Sequence, residues 1–188
     1  MSPSPTNAAR VVMDEGAVAD ALRRIAAEIV ARAPAAPGPV LVAVRRGGIP
    51  LAARLRALLG QDVPVGSVDI TLYRDDAATA LPNPQIGRSE IPFDVDGRRV
   101  VLVDDVLFTG RTTRAAIDAV MDYGRPRAIE LAVLVDRGHR ELPIQADYVG
   151  LRLATAADER VEVVADGEDE SATVRVEVRG PRAAEEPS

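Results

Sequence analysis

Three runs of apolar, largely β-branched residues fix what this chain can fold into: 40–44 (VLVAV), 99–103 (RVVLV) and 128–135 (AIELAVLV). Apolar residues run through them with almost no polar alternation, which predicts strands covered on both faces, as in a parallel sheet. Between them the periodicity changes. Asp14 and Glu15 open a helix expected to run to about Ala33, with Val18, Leu22, Ile25, Ile29 and Ala33 on its core face. Pro34 and the Pro37-Gly38-Pro39 cluster end it. A second helix is expected from Pro50 to about Leu59 after the Gly47-Gly48 loop, and a third from Thr112 to Tyr123; residues 63–73 form a further strand region. Strands alternating with helices give an α/β fold with a central parallel sheet flanked by helices. The end of the chain differs, because 161–165 and 174–178 flank Asp166-Gly167-Glu168 as a hairpin would, making a small β-rich appendage. Residues 1–9 and 181–188, rich in small and polar residues, are expected to be disordered, leaving 10–180 as one domain.

Composition narrows the chemistry. There is no cysteine, which excludes disulfides, thiol nucleophiles and thiolate metal sites. All 23 basic residues are arginine, so no lysine is present for a Schiff base or a Walker-type phosphate loop. A single histidine, His139, excludes a multi-histidine zinc site. Carboxylates, hydroxyls, arginines and backbone amides remain. A net charge of −6 argues against general nucleic-acid binding but leaves room for a local arginine patch, since fields are screened over about 8–10 Å at physiological salt. Aromatics at 3% are too few for a broad base-stacking platform. No apolar stretch reaches the roughly 18 residues of a membrane span, and the opening MSPSPTNAA lacks the apolar segment of a signal peptide, so a cytoplasmic protein with no membrane partner is expected.

Residues 100–113 (VVLVDDVLFTGRTT) concentrate the chemistry. An apolar strand delivers Asp104 and Asp105 to its carboxyl end, where open α/β sheets bind ligands. Thr109-Gly110-Arg111-Thr112-Thr113 then opens a helix, whose amino terminus offers unpaired N–H groups and the positive end of a dipole. Carboxylates suit a ribose diol or Mg²⁺, and the helix start suits a phosphate monoester. A sugar phosphate satisfies both. Either feature alone has a structural explanation in turn and helix capping; their conjunction favours a site. The connection 74–92 is long for a compact domain and reads as a lid or a disordered insertion.

The motif VVLVDDVLFTGRT resembles the phosphoribosyl-pyrophosphate motif of type I phosphoribosyltransferases. The wider match is to the PyrR family, bifunctional pyrimidine-operon regulators and uracil phosphoribosyltransferases. It is carried by RVVMDE (10–15), DITLYRDD (69–76), IPFDV (91–95) and DYGRPRAIELAVLVDRGHRELPIQADYVG (122–150), and covers roughly residues 10–155. The resemblance implies a type I phosphoribosyltransferase fold with a β-rich hood, and a reaction converting uracil and phosphoribosyl pyrophosphate to UMP and diphosphate. By this resemblance Asp104 and Asp105 bind the ribose hydroxyls, Thr109, Gly110, Arg111 and Thr112 hold the 5′-phosphate, and Val106, Leu107 and Phe108 complete the nucleotide loop. Arg45, Arg46, Gly47 and Gly48 match the pyrophosphate loop, and Mg²⁺ accompanies the substrate rather than a dedicated protein metal site. Phe108 fits a pyrimidine user, because purine-using relatives often carry an acidic residue there. Arg137 is the candidate for the uracil pocket, with a surface pairing to Asp136 or Glu141 as the alternative; His139 reads as a hydrogen-bonding loop residue. Arg74 is the catalytic candidate of the flexible loop, beside Tyr73, and Arg88 is a further phosphate candidate.

The resemblance also implies binding of the leader of pyrimidine-gene messenger RNA when UMP or UTP is present, and a homodimer or homotetramer. Arg23, Arg24 and Arg32 on the first helix, with Arg140 and Arg152, are the candidate RNA contacts. An intrahelical ladder from Glu28 to Arg24 and Arg32 is the competing account of two of them. Ala27 and Leu151 depart from the histidine and lysine common in relatives, and the segment after Thr155 diverges. The alternative function is an RNA-binding nucleotide sensor with little or no transferase activity. Other sheet families fit poorly: receiver domains need a lysine, dehalogenase-type phosphatases need carboxylates two residues apart, and Phe108 with DRGHR argues against a purine-salvage enzyme.

Overall fold

In the computed structural model, which describes residues 9–32, 37–70 and 89–180, the elements run β1 (Arg10–Met13), α1 (Glu15–Ala31), β2 (Val40–Val44), α2 (Gly48–Leu59), β3 (Val65–Val68), β4 (Arg99–Leu107), α3 (Arg111–Met121), β5 (Ala128–Asp136), β6 (Tyr148–Arg152), β7 (Arg160–Ala165) and β8 (Val174–Arg179). The apolar runs of the sequence are β2, β4 and β5, the three central strands of a five-stranded parallel sheet ordered β3-β2-β4-β5-β6. Their burial on both faces explains why their sequences do not alternate.

One face of this sheet packs on α1 and α2 through Val18, Leu22, Ile25, Leu51 and Leu55 against Leu41, Val101 and Leu134. The other packs on α3 and residues 91–95, where Ala115, Ala119 and Val120 meet Val100, Leu102 and Val133. Helix α1 begins where expected, because Asp14 accepts a hydrogen bond from the Ala17 N–H (2.9 Å) and caps the first turn. Its last residue is Ala31; Ala33 lies outside the described residues.

The expected hairpin is present as β7 and β8, paired antiparallel, but it is not alone. β1, which carried no strand signal in its four residues, pairs with β8 to complete a three-stranded sheet ordered β1-β8-β7. Glu15 joins this small sheet to the main body, accepting from the Val174 N–H (2.5 Å) and from Arg54 Nη2 of α2 (2.6 Å). The strand region expected over 63–73 is confined, among the described residues, to Val65–Val68. Glu90, near the end of the long connection, returns beside Ser67 as an antiparallel bridge, with 2.7 Å hydrogen bonds in both directions.

Candidate functional site

β4 runs further than its apolar sequence indicates. Its pairing with β5 continues through Asp104↔Val133, Val106↔Val135 and Leu107↔Asp136, so the acidic pair lies inside the strand, four residues of which extend past Val103. β5 is equally long and gives the backbone of the polar residues its partners. Successive residues of a strand face opposite ways. Asp104 is buried, and its Oδ1 accepts from the Asp105 N–H (3.0 Å). Burial, followed by the neighbouring charge of Asp105, holds its carboxyl well above the usual carboxylate range. Asp105 turns to the face covered by α2. There Gly47 lies so close that a methyl group on it would overlap the Asp105 carboxylate, and a methyl on Gly48 would overlap the Val103 carbonyl. The two glycines therefore let the 45–48 loop, whose Arg45–Arg46 peptide bond is cis, close directly onto β4. Arg45 is partly exposed and Arg46 exposed at the mouth of this contact.

After β4 the chain turns through Phe108 and Thr109 into Gly110, whose φ of 92° is left-handed and serves as the N-cap of α3 without a side-chain hydrogen bond. Arg111 N–H lies 3.4 Å from Thr109 Oγ1. Amides that open a helix without an N-cap side chain are donors suited to an anion, and here Arg111 N–H already has Thr109 Oγ1 as one acceptor. The loop's carbonyls are turned the opposite way, onto the segment after β5. Leu107 O accepts from the Arg137 N–H (3.1 Å), and Thr109 O accepts from those of Glu141 (3.0 Å) and Leu142 (3.1 Å). Arg140 completes this clamp: Nη1 donates to Phe108 O (2.6 Å), Leu107 O (3.3 Å) and Gly138 O (3.0 Å), Nε to Ile144 O (2.9 Å), and Nη2 to Asp136 Oδ1 (2.5 Å). With its acceptors on one side and the helix start on the other, the loop has one polarity. Arg111 is exposed and pairs with Glu141 (2.7 Å).

Arg137 is buried beside this loop, its guanidinium carbon 4.1 Å from the centroid of the Phe108 ring. It pairs with neither Asp136 nor Glu141. Nε donates to Thr155 Oγ1 (3.1 Å) and Nη2 to Ala156 O (2.9 Å). Burial lowers its pKa, and the charge of Glu159 opposes that shift. His139, at φ 59°, meets the Phe108 ring edge-on with centroids 5.8 Å apart, and its Nε2 lies 2.8 Å from Thr155 O, the loop role expected for it. Thr155 and Ala156 were not visible as site residues in the sequence. The only signal is topological: β5 and β6 are neighbouring parallel strands, so the segments leaving their carboxyl ends must lie side by side.

The arginines of the first helix are not held by Glu28. Arg24 donates to Gly150 O (2.7 Å), and Arg32 donates to Asp147 (2.8 Å) and stands 5.1 Å from the centre of the Tyr148 ring. Arg23 pairs with Asp20. The partners of Arg24 and Arg32 come from β6 and its approach because α1 packs on that edge strand, a tertiary arrangement that i,i+4 spacing cannot reveal. Arg152, 75% exposed, lies 3.6 Å from Asp136 on the same strand edge. Arg140 does not add a free guanidinium to this patch, since each of its nitrogens is hydrogen-bonded within the loop it clamps. Arg74, Tyr73 and Arg88 lie outside the described residues.

Residues 12–168 match the family model described as the phosphoribosyl transferase domain. The chain is 53% identical over 171 residues to the bifunctional protein PyrR of Geobacter sulfurreducens, covering 89% of this chain and 97% of that one. It is 55% identical over 160 residues to the bifunctional protein PyrR of Listeria welshimeri, covering 81% and 87%. Among solved structures, a hypoxanthine phosphoribosyltransferase from Staphylococcus aureus superimposes with a TM-score of 0.64 at 20% identity, covering 86% of each chain. One from Trypanosoma cruzi, in complex with the product IMP, gives 0.61 at 22% identity over 84% and 87%. The likeness to these two is one of fold.

Proposed function

The chain belongs to the phosphoribosyl transferase family and, within it, to the bifunctional PyrR proteins, and from that membership we propose a double role for the site at the end of β4. The protein transfers the phosphoribosyl group of phosphoribosyl pyrophosphate to uracil, releasing diphosphate and forming UMP. With UMP or UTP bound it holds the leader of pyrimidine messenger RNA and so regulates those genes. The observation that carries this reading is the closure of Gly47 onto Asp105. It joins a loop with two arginines, suited to a polyanionic leaving group, to carboxylates suited to a sugar diol.

The chemistry follows from that arrangement. The 5′-phosphate docks at the start of α3 on Thr109, Gly110, Arg111 and Thr112, fixing one end of the sugar. Asp104 and Asp105 take the ribose hydroxyls and face the positive charge that grows at the anomeric carbon as the bond to diphosphate lengthens. Arg45 and Arg46, with the amides of Gly47 and Gly48, receive the departing diphosphate. Val106, Leu107 and Phe108 form the floor between sugar and base, and Arg137 closes the base end. Arg74 is the catalytic candidate of the 74–92 loop, which excludes water from an electrophilic sugar.

A magnesium ion accompanying the pyrophosphate substrate would supply charge neutralisation there. The donor set fits it: Asp104 and Asp105 are hard oxygen donors and would hold the ion together with the substrate. Arg23, Arg24, Arg32 and Arg152 form the RNA face along α1 and the β6 edge. The active species is a cytoplasmic homodimer or homotetramer.

Two measurements test the proposal together. Labelled uracil should yield UMP only with phosphoribosyl pyrophosphate present, and retention of the pyrimidine leader RNA should require UMP. Arg24→Ala and Arg32→Ala should weaken retention with uracil transfer unchanged. UMP binding without turnover would leave a sensor alone. Transfer without UMP-dependent RNA retention would leave an enzyme alone.

A further inference from the structure

A buried arginine ordinarily sits against a carboxylate, because an unpaired charge away from water is costly. Arg137 does not. Among the described residues its acceptors are neutral, a hydroxyl and a carbonyl from the segment leading into the hood, with the Phe108 ring beneath. Those two bonds use Nε and Nη2, and Nη1 makes none. The side chain is fixed at two of its three nitrogens, and the third presents two N–H donors with the positive charge uncancelled by an ion pair. This is a suitable arrangement for a ring carbonyl of a pyrimidine.

Thr155 is where the fixing converges. Its Oγ1 accepts from Arg137 Nε (3.1 Å) and its carbonyl accepts from His139 Nε2 (2.8 Å), so one residue ties down both side chains that frame Phe108. Its neighbour Ala156 donates its N–H to Glu159 Oε2 (2.8 Å), which closes the turn and holds the Ala156 carbonyl facing Arg137. His139 keeps the left-handed backbone unusual for a residue with a side chain, and the Thr155 carbonyl is its hydrogen-bonding partner.

We infer that Thr155 is a positioning residue for the base: through Arg137 and His139, the segment between β6 and β7 sets the donor that recognises the pyrimidine carbonyl. This rests on the reading of Arg137 as a base-pocket residue. Thr155 touches no reacting atom. Its influence is therefore confined to ligands that carry the base.

The test compares Thr155→Val, which keeps the shape and removes the acceptor, with Thr155→Ser, which restores it, and with Arg137→Ala. Steady-state uracil transfer gives KM for each substrate, and equilibrium titration compares UMP with ribose 5-phosphate, which lacks the base. Thr155→Val should raise the uracil KM and the UMP Kd about five- to tenfold. The KM for phosphoribosyl pyrophosphate and the Kd for ribose 5-phosphate should stay within about twofold, and Thr155→Ser should return both base-dependent constants to near parental values. Base-dependent constants unchanged in Thr155→Val while Arg137→Ala raises them would overturn the inference and leave the pocket reading standing. Equal weakening of UMP and ribose 5-phosphate would overturn it as well, by exposing general disruption. If Arg137→Ala itself leaves uracil and UMP untouched, the pocket reading falls and takes the inference with it.

Discussion

Gly47 and Gly48 are adjacent, both with ordinary backbone angles available to other residues, yet a methyl group on each meets a different kind of neighbour. At 47 it strikes the whole Asp105 side chain, from the carboxylate down to Cβ at 2.9 Å; at 48 it strikes the Val103 carbonyl, which is part of β4. Gly47→Ala should therefore lower the thermal midpoint and weaken phosphoribosyl pyrophosphate at least about tenfold, since a displaced carboxylate no longer meets the sugar. Gly48→Ala should lower stability by about 2–3 kcal/mol in denaturant unfolding, as overpacking does. The paired carboxylates after an apolar run and the Thr-Gly at a helix start stand out in the sequence as candidates by type and spacing, whereas Gly47 and Gly48 enter as site residues only through the family resemblance. The role of Arg140 was not legible. It was expected among the RNA contacts, and only the folded carbonyls of 107, 108, 138 and 144 reveal it as a clamp.

At the scale of elements, α1 is held to the sheet at its carboxyl end by a buried charge. Arg99, at the start of β4, grips Glu130 of β5 with Nε (2.9 Å) and Nη2 (2.8 Å), while Nη1 and Nη2 both donate to the Ile29 carbonyl (3.2 Å) in the last turn of α1. Tyr148 of β6 accepts from Arg99 (2.7 Å) and donates to Glu130 (2.6 Å). Burial alone would raise the Glu130 carboxyl; hydrogen bonds from Arg99 and Tyr148, with the charge of Arg99, overcome it and leave the pKa below the ordinary glutamate range. A depressed acid stabilises the fold above its unfolded-state pKa and loses that contribution as pH falls through the folded-state value. Glu130→Gln should cost about 3 kcal/mol at neutral pH by stranding Arg99. The gap between parent and variant, followed by thermal melts at decreasing pH, should narrow only below the ordinary glutamate range. The positions of α1, α2, α3 and the central strands were legible from periodicity. β1 and β6 were not, because short strands at a sheet edge or in a three-stranded ribbon take their pairing from distant partners and need no pattern of their own.

For the whole molecule, a net charge of −6 means that any nucleic acid is drawn to a minority surface against the overall field. With Arg23, Arg24, Arg32 and Arg152 as the phosphate contacts, the logarithm of RNA affinity should fall against the logarithm of salt concentration with a slope of about −3, measured with UMP saturating. A much steeper slope would require arginines outside this face. Composition excluded thiol, lysine and multi-histidine chemistry, and the alternation of runs made the layered sheet legible. The three-stranded sheet was not, since β1 and β8 pair across almost the full described length and nothing local in either announces the other.

That pairing imposes an order on biosynthesis. A polypeptide leaving the ribosome amino end first has all five parallel strands in hand once Arg152 has emerged, whereas β1, made before any of them, waits without its neighbour until Val174–Arg179 is translated. Thr155 falls in the interval between those two moments. On the proposed assignment, the segment that would take the phosphate at the start of α3 is thus synthesised before the residue inferred to position the base donor.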